Sequence, residues 1–405
     1  MAPGFIAGAV SRFGYTGKLE LNRQDIPMTA IASRLEAVRS EMKAEAYDAL
    51  VVPRADEYLG EYIPTHNERL RWLTGFTGSA GLVIITADRA AMFVDGRYTV
   101  QVRRELSADL FTYCHQIEDP HPEWLVQELP RGARVACDPR MHSLRWYRDT
   151  AATLGKAGLE LVTSTDNLVD RCWQDRPAPF IRPALLLDER YSGESSLAKR
   201  RRIGAAVAAQ GADAALVFAP DSISWLLNIR GTDIPKLPVV QGLALLAADG
   251  RVTLLVEPGR IPDGFNSHVG EGVEVLSEAQ AETVLAGCGG RTVLADPDTA
   301  NAWCQLTLES GGATLLAAED PVLLPKACKN PVEIEGTRNA HIRDAVAEVR
   351  FLAWLDSEVA AGRPHDEDSL ARKLLSFRAV GEHFQEVSFD SISAAGGNAA
   401  MCHYN

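Results

Sequence analysis

"RRIGAAVAAQGADAALVF", Arg201 to Phe218, decides the fold because its layout occurs twice in the chain. A basic start, an amphipathic helix, a short break, an Asp-Ala pair and an apolar strand follow one another here. "RLEAVRSEMKAEAYDALVV", Arg34 to Val52, has the same order. Self-similarity of that kind marks a duplicated unit. In the first copy Ile31, Leu35, Val38 and Met42 recur at helical spacing, and "ALVVP" (Ala49 to Pro53) follows as a short buried strand. Farther on, Trp225-Leu226 followed by Gly231 echoes Trp72-Leu73 followed by Gly75, and "LLVEPGR" (Leu254 to Arg260) echoes "MFVDGRY" (Met92 to Tyr98).

The stretches between complete an α/β pattern. "GLVIIT" (Gly81 to Thr86) and "AAMFV" (Ala90 to Val94), separated by Asp88-Arg89, predict a hairpin. Helices starting near Tyr98 and near Ser143 flank a strand at "RVACD" (Arg134 to Asp138). Two copies of one domain are therefore expected, over 26–176 and 177–325, after an extension at 1–25. The border falls in "DRPAPFIRPA" (Asp175 to Ala184), where three prolines within seven positions stop any helix. Beyond "LLPKACKNP" (Leu323 to Pro331) the texture changes. A long helix is predicted through Ala361, with Ile334, Ile342, Val346, Val349 and Ala353 on or near one face, and a second helix after Asp366 carrying Leu370, Leu374 and Phe377. A strand at "EVSFDSIS" (Glu386 to Ser393) is then expected to lead to the end. Two helices and one strand bury little sheet, so 326–405 is read as part of a domain and as less stable than the two before it.

Composition narrows the partners. Of 405 residues 46% are hydrophobic, and 41 basic against 54 acidic residues give a net charge of −13, which argues against nucleic acid. The one basic run, Lys199 to Arg202, is read as a solvated opening turn of a helix. Seven cysteines, never closer than sixteen positions, form neither a zinc half-site nor a disulfide framework, which fits reduced thiols in a cytoplasm. "FIAGAV" near the start is too short for a secretory signal and has no cationic residue before it. No apolar run approaches the ~20 residues of a membrane span.

Several motifs carry chemistry or imitate it. "GFTGSAG" (Gly75 to Gly81) lacks the GxGxxG spacing and precedes a strand rather than a helix, so close packing at a turn is the reading and nucleotide binding is not. At "DGRY" (Asp95 to Tyr98), Asp95 suits a helix cap and Arg97 a surface pair, while a role for Arg97 as an anion or carbonyl ligand stays open. His365-Asp366-Glu367-Asp368 reads as a solvated acidic first turn. His403, after "GGNAAMC", is expected at a strand end beside a wall able to tune its imidazole.

Taken together, "VVPRADEYLGEYIP" (Val51 to Pro64), "LTGFTGSAGLVIIT" (Leu73 to Thr86), "MFVDGRY", "ISWLLNIRGTDIPKLPV" (Ile223 to Val239), "NAHIRDAVAEVRFLAWL" (Asn339 to Leu355), and "SFDSIS" with "GGNAAMCHY" (Ser388 to Tyr404) resemble the Xaa-Pro aminopeptidases (aminopeptidase P) of the long, three-domain cytosolic type, within the creatinase-like metallopeptidases. The resemblance implies two creatinase-N-like α/β domains followed by the start of a pita-bread domain. It also implies removal of an N-terminal residue ahead of proline, two divalent metals (usually manganese), a cytoplasmic location and a homodimer. By resemblance His403 contacts the peptide near the scissile bond, and Arg97 binds peptide, acting across the dimer. The family's two aspartate, one histidine and two glutamate ligands lie downstream of the His403-Tyr404 motif, so none can be carried over. No metal ligand is therefore assigned, and the chain as given is expected to hold no metal pair and to be inactive alone. The alternatives are a non-catalytic peptide-binding or dimerisation module and a prolidase-type activity on dipeptides.

Overall fold

The computed structural model describes residues 27–164, 166–400 and 404, in two units, Met28–Glu333 and the segment from Ile334 onward. In the first unit the helix Met28–Ala44 buries Ile31, Leu35, Val38 and Met42, the stripe read from the sequence. It packs on a sheet of β1 (Ala49–Pro53), β2 (Leu82–Thr86), β3 (Ala90–Val94), β4 (Thr112–His115), β5 (Arg134–Cys137) and β6 (Glu160–Thr163), ordered β4-β3-β2-β1-β5-β6. The expected hairpin is present, with Val83 opposite Met92, and β1 pairs antiparallel to β2 with Val51 opposite Ile84. On its other side β1 runs parallel to β5, and β5 parallel to β6. β2 and β3 are buried along their whole length, as sheets covered on both faces require.

The duplication holds at the level of hydrogen bonds. After a two-stranded ribbon, β7 (Leu185–Leu186) with β9 (Ile229–Arg230), a second sheet contains β8 (Ala214–Val217), β10 (Leu243–Ala247), β11 (Val252–Leu255), β12 (Val273–Leu276), β13 (Thr292–Ala295) and β14 (Thr314–Ala317). Its order, β12-β11-β10-β8-β13-β14, repeats the first, with antiparallel and parallel pairings at the same places. The copies meet at equivalent points. Ser143 caps the helix Leu144–Ala157, Asn301 caps the helix Ala302–Ser310, and these two caps bridge each other. The Arg145 amide donates to the Pro297 carbonyl (2.9 Å) and the Ala302 amide to the His142 carbonyl (2.8 Å).

The basic run is not solvated as expected. Lys199 and Arg200 are 0% and 1% exposed, and only Arg201 and Arg202 face solvent. Lys199 Nζ donates to the Trp225 carbonyl (3.0 Å) and Asn228 Oδ1 (2.7 Å) and lies over the Trp225 ring (3.9 Å). Arg200 donates to the carbonyls of Gly250, Val269 and Glu271 at 2.8–2.9 Å. Gly204 permits this approach: a Cβ there would lie 2.9 Å from the Ala247 carbonyl oxygen and the Gly250 nitrogen. Buried cations thus satisfy backbone carbonyls in the β10–β11 turn (Gly250), ahead of β12 (Val269 and Glu271) and in the helix at Trp225, which would otherwise lose water without a partner.

The unit from Ile334 contains most of the helix Pro331–Ala360 and the helix Glu367–Arg378, capped by Asp366 through the Ser369 amide (2.7 Å). Arg378 ties the two helices, meeting Asp344 at 2.6 Å and Glu348 at 3.0 Å. The predicted apolar face is present but open: Ile342 and Val349 are 64% and 65% exposed. The expected strand over 386–393 is absent, and among the described residues from Ile334 onward there is no strand. A strand needs a neighbour for its N–H and C=O groups, and the described residues from Ile334 onward include no strand to offer one.

Candidate functional site

Arg97 lies in the turn that leaves β3. Asp95 caps that turn through the Arg97 amide (2.9 Å) rather than a helix, and the next helix starts later than expected, at Gln101. The Asp95 carboxylate then grips the Arg97 side chain, with Nε at 3.0 and 3.2 Å and Nη2 at 2.8 Å, and the guanidinium lies 5.1 Å from the centre of the Tyr98 ring. The hydrogen bond from Arg97 holds the Asp95 carboxyl below the usual carboxylate range. Tyr98 is in turn fixed by Ser79 (2.6 Å) and by Phe76 edge-on. Here the glycines of "GFTGSAG" act as packing glycines: a Cβ on Gly78 would lie 2.3 Å from Phe76 Cζ, and one on Gly81 2.8 Å from Met92 Cε. Arg97 remains 42% exposed, so the packed turn presents its guanidinium outward.

His403 lies outside the described residues. Ala395, Asn398 and Tyr404 are anchored by Glu367, which the sequence presents as a solvated acid. Its carboxylate accepts from the Ala395 amide (2.5 Å), the Asn398 side-chain amide (3.0 Å) and the Tyr404 hydroxyl (2.6 Å). Those bonds, the Tyr404 hydroxyl foremost, lower its pKa. A group depressed in this way contributes its anchoring above the ordinary glutamate range and loses it as pH falls through the lowered value. Glu367→Ala is expected to speed amide exchange at Ala395 at least about tenfold while leaving Met28–Glu333 unchanged. Equal exchange rates in mutant and wild type would contradict the anchor. The rest of the acidic run is local: Asp368 pairs with Arg372, and His365 Nε2 meets Glu358 (3.0 Å), which also takes Arg363.

A third cluster, unassigned from sequence, sits at the carboxyl ends of β1 and β5. Arg69, 3% exposed, donates to Glu57 (2.7 Å) and with Nε and Nη2 to Asp170 (both 2.8 Å); Arg176 joins at Asp170 (2.7 Å), and Asn67 closes the ring onto Glu57 (2.7 Å). Burial pushes the Glu57 carboxyl up, and Arg69 overrides it, leaving the group low. Beside it, Arg69, Asp138, Ser164 and Asn167 line a cavity of about 10 Å³, room for one water and no substrate. Across the copies, Asp56 accepts from Gln241 Nε2 (3.1 Å), and Tyr58 donates to Glu278. Among the described residues no three His, Cys, Asp or Glu side chains are placed to hold a metal ion. The Arg69 carboxylates are already engaged by guanidinium groups, so the described residues do not fit a metal pair. Burial pushes the Cys114 thiol up to about 11 and the Cys304 thiol up to about 12, which keeps both in the unreactive thiol form. No described helix is long and apolar enough to cross a membrane.

Comparison with known proteins matches both halves of the large unit to one family. The Creatinase/Prolidase N-terminal domain covers residues 34–172 and again 175–333. Aminopeptidase P1 of Arabidopsis thaliana is 32% identical over 92% of this chain and 65% of its own length. Xaa-Pro aminopeptidase 1 of Dictyostelium discoideum is 32% identical over 93% of this chain and 62% of its own. The chain thus spans just under two thirds of these curated relatives. Among solved structures, the X-prolyl aminopeptidase of Caenorhabditis elegans, described as a cytosolic enzyme with a di-nuclear active site, superposes with a TM-score of 0.86 at 28% identity, over 92% of this chain and 64% of that one.

Proposed function

This chain belongs to the Xaa-Pro aminopeptidase family, and from that premise we propose that it contributes the recognition domains of a cytoplasmic, homodimeric aminopeptidase that removes the residue ahead of an N-terminal-second proline. The bond cut in such a peptide is a tertiary amide. Proline supplies no N–H, so the substrate must be gripped largely through carbonyl oxygens and its free amine, and a guanidinium is suited to the first task. What carries the reading is Arg97: a pre-oriented, 42% exposed donor on a packed turn, in the block that resembles the family's peptide-binding arginine. His403 keeps its proposed role at the peptide on resemblance alone. A pair of divalent metals, manganese by resemblance, belongs to this reading of the whole enzyme. That the 405-residue polypeptide alone holds no such pair and is inactive belongs to the same proposal. The open apolar face at Ile342 and Val349 supports a further catalytic layer packing there.

The test uses the enzyme expressed from its gene with manganese added and a panel of Xaa-Pro tripeptides. Metal-dependent release of the first residue is expected, and Arg97→Ala should lower kcat/KM about 10–100-fold, as for loss of a positioning contact. No release from any tripeptide would overturn the reading and favour the non-catalytic peptide-binding module. Faster cleavage of Xaa-Pro dipeptides than of tripeptides would move it to the prolidase type.

A further inference from the structure

The duplication supplies an internal comparison for Arg97. In the second copy the matching segment, Glu257 to Arg260, ends in an arginine that turns inward. Arg260 is 5% exposed and donates through Nε to Asp233 (2.5 Å). One copy of the motif has thus become part of the interior, while the other carries an outward guanidinium held by its own neighbour two residues back. A guanidinium has five N–H groups in a planar fork. Asp95 takes the Nε side, and Nη1 makes no hydrogen bond with any described residue. One edge therefore remains for a ligand. The charge of that edge is already matched by the Asp95 carboxylate, and Glu61 lies close enough to add a second negative field.

We propose that Asp95 is a positioning and specificity-determining residue: it presents the free edge of Arg97 to a neutral backbone carbonyl and disfavours a carboxylate at the same place. The identity of the ligand as a peptide rests on the aminopeptidase reading above. A carbonyl oxygen needs only an aimed N–H donor. A carboxylate gains the same hydrogen bonds and also meets Asp95 across the guanidinium, a like-charge penalty at a partly exposed site worth about fivefold in affinity. The consequence is selection by length. In a dipeptide the group after proline is the terminal carboxylate, whereas in a longer peptide it is another carbonyl, so Asp95 tilts the site toward longer Xaa-Pro peptides.

Binding at Arg97 can be read without turnover, from the Nε–Hε resonance of Arg97 in the full chain titrated with N-acetylproline methylamide and with N-acetylprolinate. Asp95→Asn keeps an oxygen for the Arg97 amide, so the turn should persist. Its melting curve checks this. In the wild type the amide is expected to perturb Arg97 at lower concentration than the acid. In Asp95→Asn the acid should gain about fivefold or more relative to the amide. An acid-to-amide ratio unchanged by Asp95→Asn would overturn the proposal, as would a wild type in which neither probe moves the resonance. Failure of the whole enzyme to cleave any Xaa-Pro peptide would defeat the aminopeptidase reading and leave this ratio intact. An active peptidase with an unchanged ratio would defeat the role of Asp95 alone.

Discussion

Arg69→Ala is expected to unfold the first domain at a temperature lower by roughly 6–20 °C. The magnitude follows from what the side chain leaves behind. Arg69 is 3% exposed and is the shared partner of Glu57 and Asp170, whose contacts are at 2.7 and 2.8 Å. Removing the cation from a fully buried pair costs about 3–5 kcal/mol; the Glu57 and Asp170 side chains are 32% and 23% exposed, so that figure is the upper end here, and in a domain of this size each kcal/mol lowers the melting point by about 2–4 °C. Arg176 still reaches Asp170 (2.7 Å), which limits the loss on that side. Glu57 retains the Asn67 side-chain amide, its own backbone amide and the more distant charge of Arg176. The double variant Arg69→Met with Glu57→Gln should recover part of the loss, because it removes the stranded carboxylate and keeps volume. Thermal denaturation of both variants decides the matter. A melting point for Arg69→Ala within about 2 °C of the wild type would show that water reaches these carboxylates and that the cluster holds little of the fold.

The sequence made the duplicated architecture legible because it is written in local signals. Ile31, Leu35, Val38 and Met42 mark a helical stripe, and apolar runs such as "LVIIT" mark strands covered on both faces. It concealed what depends on distant partners. Lys199 and Arg200 look like solvent-seeking charges, yet the carbonyls Arg200 satisfies lie 50 to 71 positions away. The one local hint was Gly204, a glycine inside a helix, which usually signals a close backbone approach. Glu367 was hidden in the same way, since its partners are 28 to 37 positions downstream. The strand expected over 386–393 failed for the complementary reason: its alternation is real, but alternation supplies no hydrogen-bonding neighbour. Arg97 was visible as a motif, while its clamp by Asp95 and the inward turn of its counterpart Arg260 could be seen only in three dimensions.

Asp56→Asn should stabilise the large unit at pH 8 by up to roughly 3 kcal/mol, with the gain fading as pH falls through 6 toward 4. Asp56 is 1% exposed and lies where the two copies meet. Its Oδ1 accepts the amides of Tyr58 (3.1 Å) and Gly60 (2.9 Å), and its Oδ2 accepts Gln241 Nε2 (3.1 Å) from the second copy. Burial lifts its carboxyl from 3.8 to about 6, and neighbouring Glu57 adds to the lift while the two amides oppose it. The sign then follows. A carboxyl whose folded pKa is raised binds its proton more tightly in the folded state, so ionisation destabilises the fold in full above about pH 6 and not at all below the unfolded value near 4. Asparagine imitates the protonated acid: its oxygen can still accept the two amides, and its NH2 asks Gln241 to turn its oxygen inward. That oxygen gives up a long contact to Arg260 (3.5 Å), and the NH2 that replaces it faces the guanidinium, which sets the gain below its upper limit. Urea unfolding of wild type and variant at pH 8, 6 and 4 measures the difference directly. A stability difference that stays constant across those three pH values would mean that Asp56 ionises as freely in the fold as in the unfolded chain, and that the junction between the copies is open to water.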